Sequence, residues 1–188
     1  MTEKEKMLSG QLYDPMDPVL SKERYKARLK FQKINNLPDD QIKERNKLLK
    51  DLIGSYDKMF WIEPPFYCDY GSNIKLGKKV FINFNCCILD TSEIKIGDNV
   101  MIGPNVQLYA ATHPLDIKTR NSLLEYSKPI TIGKDVWIGG GAIICPGVTV
   151  GNGAVIAAGS VVVTDISDNV MVAGNPAVIK KEIDNSEK

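Results

Sequence analysis

The sequence predicts a mainly β fold: a parallel β-helix entered from a helical N-terminal segment. Three observations predict it. Branched aliphatic residues recur at six-residue spacing from Leu76 to Ile166. The first 55 residues are instead rich in Lys, Glu, Arg and Leu. The run of sixes, offset by two residues before Ile96, is interrupted between His113 and Pro129 by polar, aperiodic sequence.

The period is clearest in Ile132-Gly133, Ile138-Gly139, Ile144-Cys145, Val150-Gly151, Ile156-Ala157 and Val162-Val163, with Val136, Ala142, Val148, Ala154, Ser160 and Ile166 four places after each opener. A helix would repeat its apolar positions every three or four residues, and a free-standing strand would alternate in twos. A strict six suits neither. It suits a coil in which six residues make one short strand and one corner, with the branched side chain stacked inward on its equivalents above and below. The small residue beside it lets the backbone bend, and glycine bends with least strain.

Length and composition bound the rest. At 188 residues the chain suits one domain with a small appendage. A net charge of +1 gives no general attraction to nucleic acid or an acidic membrane. The opening MTEKEKMLSG lacks the apolar core of a signal peptide, and no apolar run is long enough to span a bilayer, so a cytoplasmic location is expected. Cys68, Cys86, Cys87 and Cys145 contain no C-x-x-C pair and are expected as free thiols, not a disulfide framework or zinc site.

In chain order, residues 1–55 are expected to form three helices, at roughly 2–9, 21–34 and 39–53. Pro15, Pro18 and Asn35-Asn36-Leu37-Pro38 interrupt them, and Gly54 stops the last. This segment is too short and polar for an independent core and is expected to pack on the coil. Residues 56–75, with Phe60, Trp61, Phe66, Tyr67 and Tyr70, read as an aromatic junction capping one end, where strand edges would otherwise be exposed. Residues 76–177 carry the sixes. Leu76-Gly77, Ile82-Asn83 and Ile88-Leu89 are followed, after two extra residues, by Ile96-Gly97, Ile102-Gly103 and Leu108-Tyr109. Three sixes close one triangular coil, so about four coils are expected. The turn Val172-Ala173-Gly174-Asn175-Pro176 ends them, and 178–188 is expected as a charged tail. The excursion at 113–129 is the expected place of function, because the coil holds its base rigid.

His113 is the only histidine, and it stands where coil gives way to excursion. Imidazole titrates near neutral pH and can act as a general base, although a lone histidine also reads as structural. Cys86, Cys87 and Cys145 are rival nucleophiles but read better as packing residues. Glu125 in the excursion reads either as a partner for the imidazole or as a solvated carboxylate.

The period of six, the excursion after Ala111-Thr112-His113-Pro114, Trp137-Ile138-Gly139-Gly140 and Gly174-Asn175-Pro176-Ala177 together resemble the hexapeptide-repeat acyltransferases. Glu3-Lys4-Glu5-Lys6-Met7 with Leu12-Tyr13, Asp69-Tyr70-Gly71 and Arg120-Asn121-Ser122 narrow the resemblance to the maltose and galactoside O-acetyltransferases, most similar to the maltose branch, from Thr2 to about Ile183. The resemblance implies a left-handed coil and a homotrimer with active sites shared between subunits. The general rule for parallel crossovers would give the opposite hand. It implies acetyl-CoA as co-substrate, no metal, and direct attack by a hydroxyl of a sugar such as maltose or glucose, with His113 as the base. Asp69, Asn83, Asp90 and Glu125 are then the acceptor-side residues, with Tyr13, Asp14 and Asp17 as weaker candidates. Asn83 and Asp90 read alternatively as corner residues with unusual backbone angles. Trp137, Gly139, Gly140 and Ala158 would lie along the pantetheine arm, and Lys180 and Lys181 near the CoA phosphates.

There are departures. The galactoside branch has serine at Gly140, so an oxyanion donor here would be a backbone N–H. A lysine and an arginine of that branch are Thr164 and Val178 here. Acetyl transfer to an antibiotic or to serine, and a non-catalytic trimeric scaffold, are the competing functions. A zinc hydratase on the same fold needs several histidines, and one is present.

Overall fold

The computed structural model describes residues 1–186. The N-terminal segment forms α1 (Glu3–Leu8), α2 (Pro18–Asn36), a 3-10 turn (Asp39–Gln41) and α3 (Ile42–Leu52). In α1, Thr2 and Glu5 form a reciprocal capping box. The second helix starts three residues earlier than expected. Asp17 accepts the Val19 and Leu20 N–H groups, and Pro18 fits the first helical turn because its missing N–H would be unpaired there anyway.

The solenoid follows as five triangular coils and the start of a sixth. The first is β1 (Ser55–Tyr56), β2 (Phe60–Ile62) and β3 (Phe66–Cys68); the second is β4 (Ile74–Leu76), β5 (Val80–Ile82) and β6 (Cys86–Leu89). The third is β7 (Ile94–Ile96), β8 (Met101–Ile102) and β9 (Gln107–Tyr109). Here the chain leaves the coil through β10 (Ala111–Thr112), a single helical turn α4 (Ile117–Arg120) and β11 (Tyr126–Ser127). It returns as β12 (Ile130–Ile132), β13 (Trp137–Ile138) and β14 (Ile143–Ile144), then β15 (Thr149–Val150), β16 (Val155–Ile156) and β17 (Val161–Val162). A hairpin of β18 (Val170–Gly174) and β19 (Ala177–Glu182) closes the top.

Parallel pairing sets each inward side chain above its equivalent. Ile62, Ile82, Ile102, Ile138, Ile156 and Val172 form one such column. Every member is at most 3% exposed. The corners after the β4–β7–β12 face turn through left-handed residues, Lys79, Asn99 and Asp135, and those of the next corner through Asn85, Asn105, Gly141 and Gly159. Asparagine suits them because its short amide tolerates this conformation and bonds locally; Asn85 reaches Asn105 at 2.6 Å and Asn99 reaches Asp135 at 2.8 Å.

The three faces differ outwardly. The face of β4, β7, β12 and β15 presents Lys75, Lys95, Thr131 and Thr149. The face of β2, β5, β8, β13, β16 and β18 presents the apolar column Trp61, Phe81, Met101, Trp137, Val155 and Met171. The face of β3, β6, β9, β14 and β17 presents Tyr67, Cys87, Gln107, Ile143 and Val161.

Three expectations are corrected. The stretch 56–75 is largely the first coil, with Phe66 pointing inward at 0% exposure. Aromatic and proline residues stand where later coils carry branched aliphatics, so the period is hidden there and four coils become five. The cap is instead α2. The Asn35 side chain donates to Phe66 O at 3.0 Å and accepts from Phe66 N at 2.9 Å, pairing the open edge of β3 as a neighbouring strand would. Phe31 packs edge-to-face on Tyr67 with ring centroids 5.6 Å apart. Finally, the charged tail expected at 178–188 begins as strand β19, antiparallel to β18; its last two residues lie outside the described residues.

On β7, Ile96 is buried in the column while Lys95 faces out. Ile96→Ala should lower the unfolding free energy by about 2–5 kcal/mol. Lys95→Ala should change it by less than about 0.5 kcal/mol. Equilibrium denaturation of the two variants checks the inward–outward assignment.

Candidate active site

The excursion is held by antiparallel pairing of Ala111 with Ser127 and of Thr112 with Tyr126, which fixes His113 at the rim of the coil. Its imidazole is half exposed, with Nε2 3.9 Å from Glu125 Oε1. The other carboxylate oxygen of Glu125 accepts the Tyr13 hydroxyl at 2.8 Å. His113 and Glu125 line a cleft of about 350 Å³ together with Tyr13, Arg24, Arg28 and Asp69. On its other side the same pair borders a second, more apolar cleft of about 500 Å³ with Met16 and Leu123.

Charge in the first cleft is balanced. Burial raises the Asp69 carboxyl above the ordinary carboxylate range, and the Arg24 and then the Arg28 guanidinium pull it back. Arg24 is committed elsewhere, donating to the Tyr70 hydroxyl at 2.8 Å and to Pro15 O at 2.5 Å. Sequence reasoning missed both arginines. They lie four residues apart on α2, a spacing that puts them on one helix face, but a basic helix face reads first as solvated.

Of the expected acceptor-side residues, Asp69 and Glu125 come together, beside the expected base His113. Asp90 does not join them. It is 0% exposed, and its carboxylate accepts the backbone N–H groups of Asp69, Tyr70 and Asn73 at 3.1, 2.8 and 3.1 Å. Burial pushes this carboxyl up to about 7, against the pull of backbone N–H groups at Tyr70, Gly71 and Asn73. Asp90 therefore organises the corner that carries Asp69 and has no free face for a ligand. Asn83 lies on a different corner, between β5 and β6, where its Oδ1 accepts Phe84 N at 2.7 Å. The left-handed residue of that corner is Asn85, so an unusual backbone angle is not the reason for Asn83. Asp14 and Asp17 bond local backbone, at Met16 and at the start of α2.

The residues expected along acetyl-CoA are also on the Asn83 corner, or on the face beside it. Trp137 stands 52% exposed in the outward apolar column. Gly140 and Ala158 follow β13 and β16, one coil apart, and their N–H groups have no backbone acceptor among the described residues. Gly139 differs. Its N–H is given to Ile156 O at 2.7 Å, and a Cβ there would lie 2.5 Å from Ala158 N. It is small so that coils can stack, and it offers a ligand no donor. Lys180 and Lys181 sit on β19, exposed at the top of the same face.

Burial pushes the Cys86 thiol up to about 11 and raises those of Cys87 and Cys145. Such thiols stay protonated near neutrality, which removes their value as nucleophiles. Among the described residues no group of three or more His, Cys, Asp or Glu side chains is placed to hold a metal ion. No helix among them is long and apolar enough to cross a membrane.

Residues 6–57 match the model of the maltose acetyltransferase hexapeptide capping motif, and residues 129–164 match that of the bacterial transferase hexapeptide. A maltose O-acetyltransferase from Clostridium difficile 630 superposes with a TM-score of 0.97 at 48% identity, over 98% of this chain and 99% of that one. A hexapeptide-repeat-containing acetyltransferase of Vibrio cholerae, complexed with acetyl coenzyme A, superposes with a TM-score of 0.90 at 40% identity, over 98% and 100% of the two chains. The galactoside O-acetyltransferase of Escherichia coli is 39% identical over 98% of this chain and 91% of its own.

The two roles weighed for Asp90 separate on substitution. Asp90→Ala would leave the buried Tyr70 N–H and the part-buried Asp69 and Asn73 N–H groups without acceptors and should cost about 3 kcal/mol of stability in equilibrium denaturation. A folded variant of unchanged stability that had lost only acceptor binding would contradict the structural role.

Proposed function

The chain belongs to the maltose and galactoside O-acetyltransferases, acetyl-CoA-dependent enzymes built on a left-handed parallel β-helix of hexapeptide repeats, and on that premise we propose that it acetylates a hydroxyl of a sugar such as maltose or glucose, with His113 as general base. The observation that carries the proposal is the placement of His113 and Glu125 on the rim of a cleft that also holds Asp69, Arg24 and Arg28. Carboxylates and guanidinium groups accept and donate hydrogen bonds in pairs, which suits a neutral polyol.

Acetyl-CoA supplies the activated acetyl group as a thioester. His113 takes the proton of the acceptor hydroxyl as its oxygen attacks the thioester carbonyl, and returns that proton to sulfur as the C–S bond breaks. Glu125, 3.9 Å away, stabilises the imidazolium formed in between. The unpaired N–H groups of Gly140 and Ala158 suit the amide carbonyls of the pantetheine arm and the thioester oxygen, Trp137 flanks the arm, and Lys180 and Lys181 meet the phosphates. The four free thiols fit a reducing cytoplasm.

Assembly completes the site. Asp69 and His113 follow β3 and β10, whereas Asn83, Gly140 and Ala158 precede β6, β14 and β17, so the acceptor half and the acetyl-CoA half occupy opposite edges of one face. A closed homotrimer brings the His113 edge of one subunit against the Gly140 edge of the next, and the outward apolar column from Trp61 to Met171 supplies a surface for such packing.

Thiol release from acetyl-CoA with maltose, glucose and a galactoside tests the reaction. His113→Ala should lower sugar-dependent release by roughly 10²–10⁴-fold with the fold intact. Release with an antibiotic or serine and with no sugar would move the acceptor class; no release with any acceptor would favour the scaffold. Shared sites predict complementation. Ala158→Trp, which fills the acetyl-CoA corner, and His113→Ala should each be inactive alone. When the two are co-refolded, about one third of the sites in each mixed trimer should be active. A mixture that stays inactive would mean that each site lies within one chain.

A further inference from the structure

The arm between α1 and α2 is fastened to the excursion at one residue. Tyr13 N donates to Glu125 O at 2.9 Å and Glu125 N donates to Tyr13 O at 3.1 Å, an isolated antiparallel bridge. The Tyr13 ring is 1% exposed and packs in a small core with Met7, Leu20 and Tyr70, separate from the coil's own. Next to it Ser127 Oγ donates to Met7 O at 2.7 Å. A bridge and a filled core would be enough to dock the arm. The tyrosine hydroxyl goes further, donating at 2.8 Å to Glu125 Oε2, the oxygen that His113 does not face.

We propose that Tyr13 is a positioning residue: its hydroxyl fixes the carboxylate plane of Glu125 so that Oε1 is held towards the His113 imidazole. The inference rests on the reading of His113 as the base. Without the hydroxyl, Glu125 sits on an exposed excursion and is free to turn its carboxylate to solvent, and ordering a glutamate unaided has an entropic cost. The donor is a dependable one. Burial and the neighbouring carboxylate raise the phenol well above its ordinary value, so it keeps its proton throughout the neutral range. The other charged groups facing the pair are Arg24 and Arg28 from α2, Asp69 from the corner after β3, and Arg120 from α4. None of them is hydrogen-bonded to Glu125.

Tyr13→Phe keeps the ring and the backbone bridge and removes one oxygen. Release of CoA thiol is measured against pH for the full chain, Tyr13→Phe, Glu125→Gln and the double variant, with melting curves alongside. A carboxylate near an imidazole favours its protonated form, so losing its orientation should lower the pH of the acidic limb of kcat/KM. Glu125→Gln should move that limb in this direction, and Tyr13→Phe should move it the same way by no greater amount. Tyr13→Phe should also lower kcat by about three- to tenfold. Once Glu125 is Gln, removing the Tyr13 hydroxyl should change neither quantity further. A Tyr13→Phe variant with an unmoved acidic limb, even one that melts earlier, overturns the proposal, as does additivity in the double variant. His113→Ala in parallel separates the failures: activity surviving there refutes the base itself, whereas activity lost there with an unmoved Tyr13→Phe profile refutes only the positioning.

Discussion

Each coil rests on the one beneath it through parallel backbone hydrogen bonds and a column of inward branched side chains, and this registration governs where everything else can go. Because Ile82, Ile102, Ile138 and Ile156 stack directly, the residues after them stack too, and successive corners form straight edges. The spacing leaves no room for a Cβ at Gly103 or Gly139, where one would lie 2.6 and 2.5 Å from the next coil's backbone nitrogen. Inward positions are closed to polar chemistry, since a buried polar group needs bonded partners. Function is therefore confined to edges, outward faces and excursions.

That confinement explains what the sequence disclosed. The period of six was readable because every inward position obeys one chemical demand, and the excursion because it breaks the demand. The place of His113, at the rim where the coil gives way to the excursion, was readable from its uniqueness at the break. Asp90 read two ways, as acceptor partner or corner residue, because a carboxylate in a corner looks like either. It is followed by an extra residue pair, Thr91 and Ser92, themselves buried, and accepts three backbone N–H groups from a corner whose shape the spacing does not reveal. Strand β19 was hidden by Lys180 and Lys181, whose charges are tolerable because an edge strand exposes them. Arg24 and Arg28 carried no signal because only the docking of α2 against the first coil turns that helix face into a cleft wall.

The helical segment thus does two jobs with one set of contacts. Asn35 seals the lower strand edge at Phe66. Toward its N-terminus the same helix presents Arg24 and Arg28, and the arm before it presents Tyr13 to the excursion. An element needed to terminate the solenoid is already anchored, so its outer face can carry polar groups at defined positions without a loop having to be ordered for the purpose.

The division of the edges has a further consequence. The cleft beside His113 gathers residues from four stretches of the chain, around Tyr13, Arg24, Asp69 and His113 to Glu125, yet all meet at the edge that ends one face. The unpaired N–H groups of Gly140 and Ala158 lie on the edge that begins that face. A rigid triangular prism cannot fold one edge onto another, because doing so would break the columns that define it. On the proposed reading, then, closure of the site is a matter of assembly and not of conformational change within a chain. The outward chemistry agrees with this reading: the face bearing Lys75 and Lys95 is suited to water, while the apolar column through Met101 and Trp137 borders the edge that the reading sets against a neighbour. On that reading, the registration that keeps the two edges apart also fixes both half-sites on each chain before they meet, and assembly sets the distance between base and thioester.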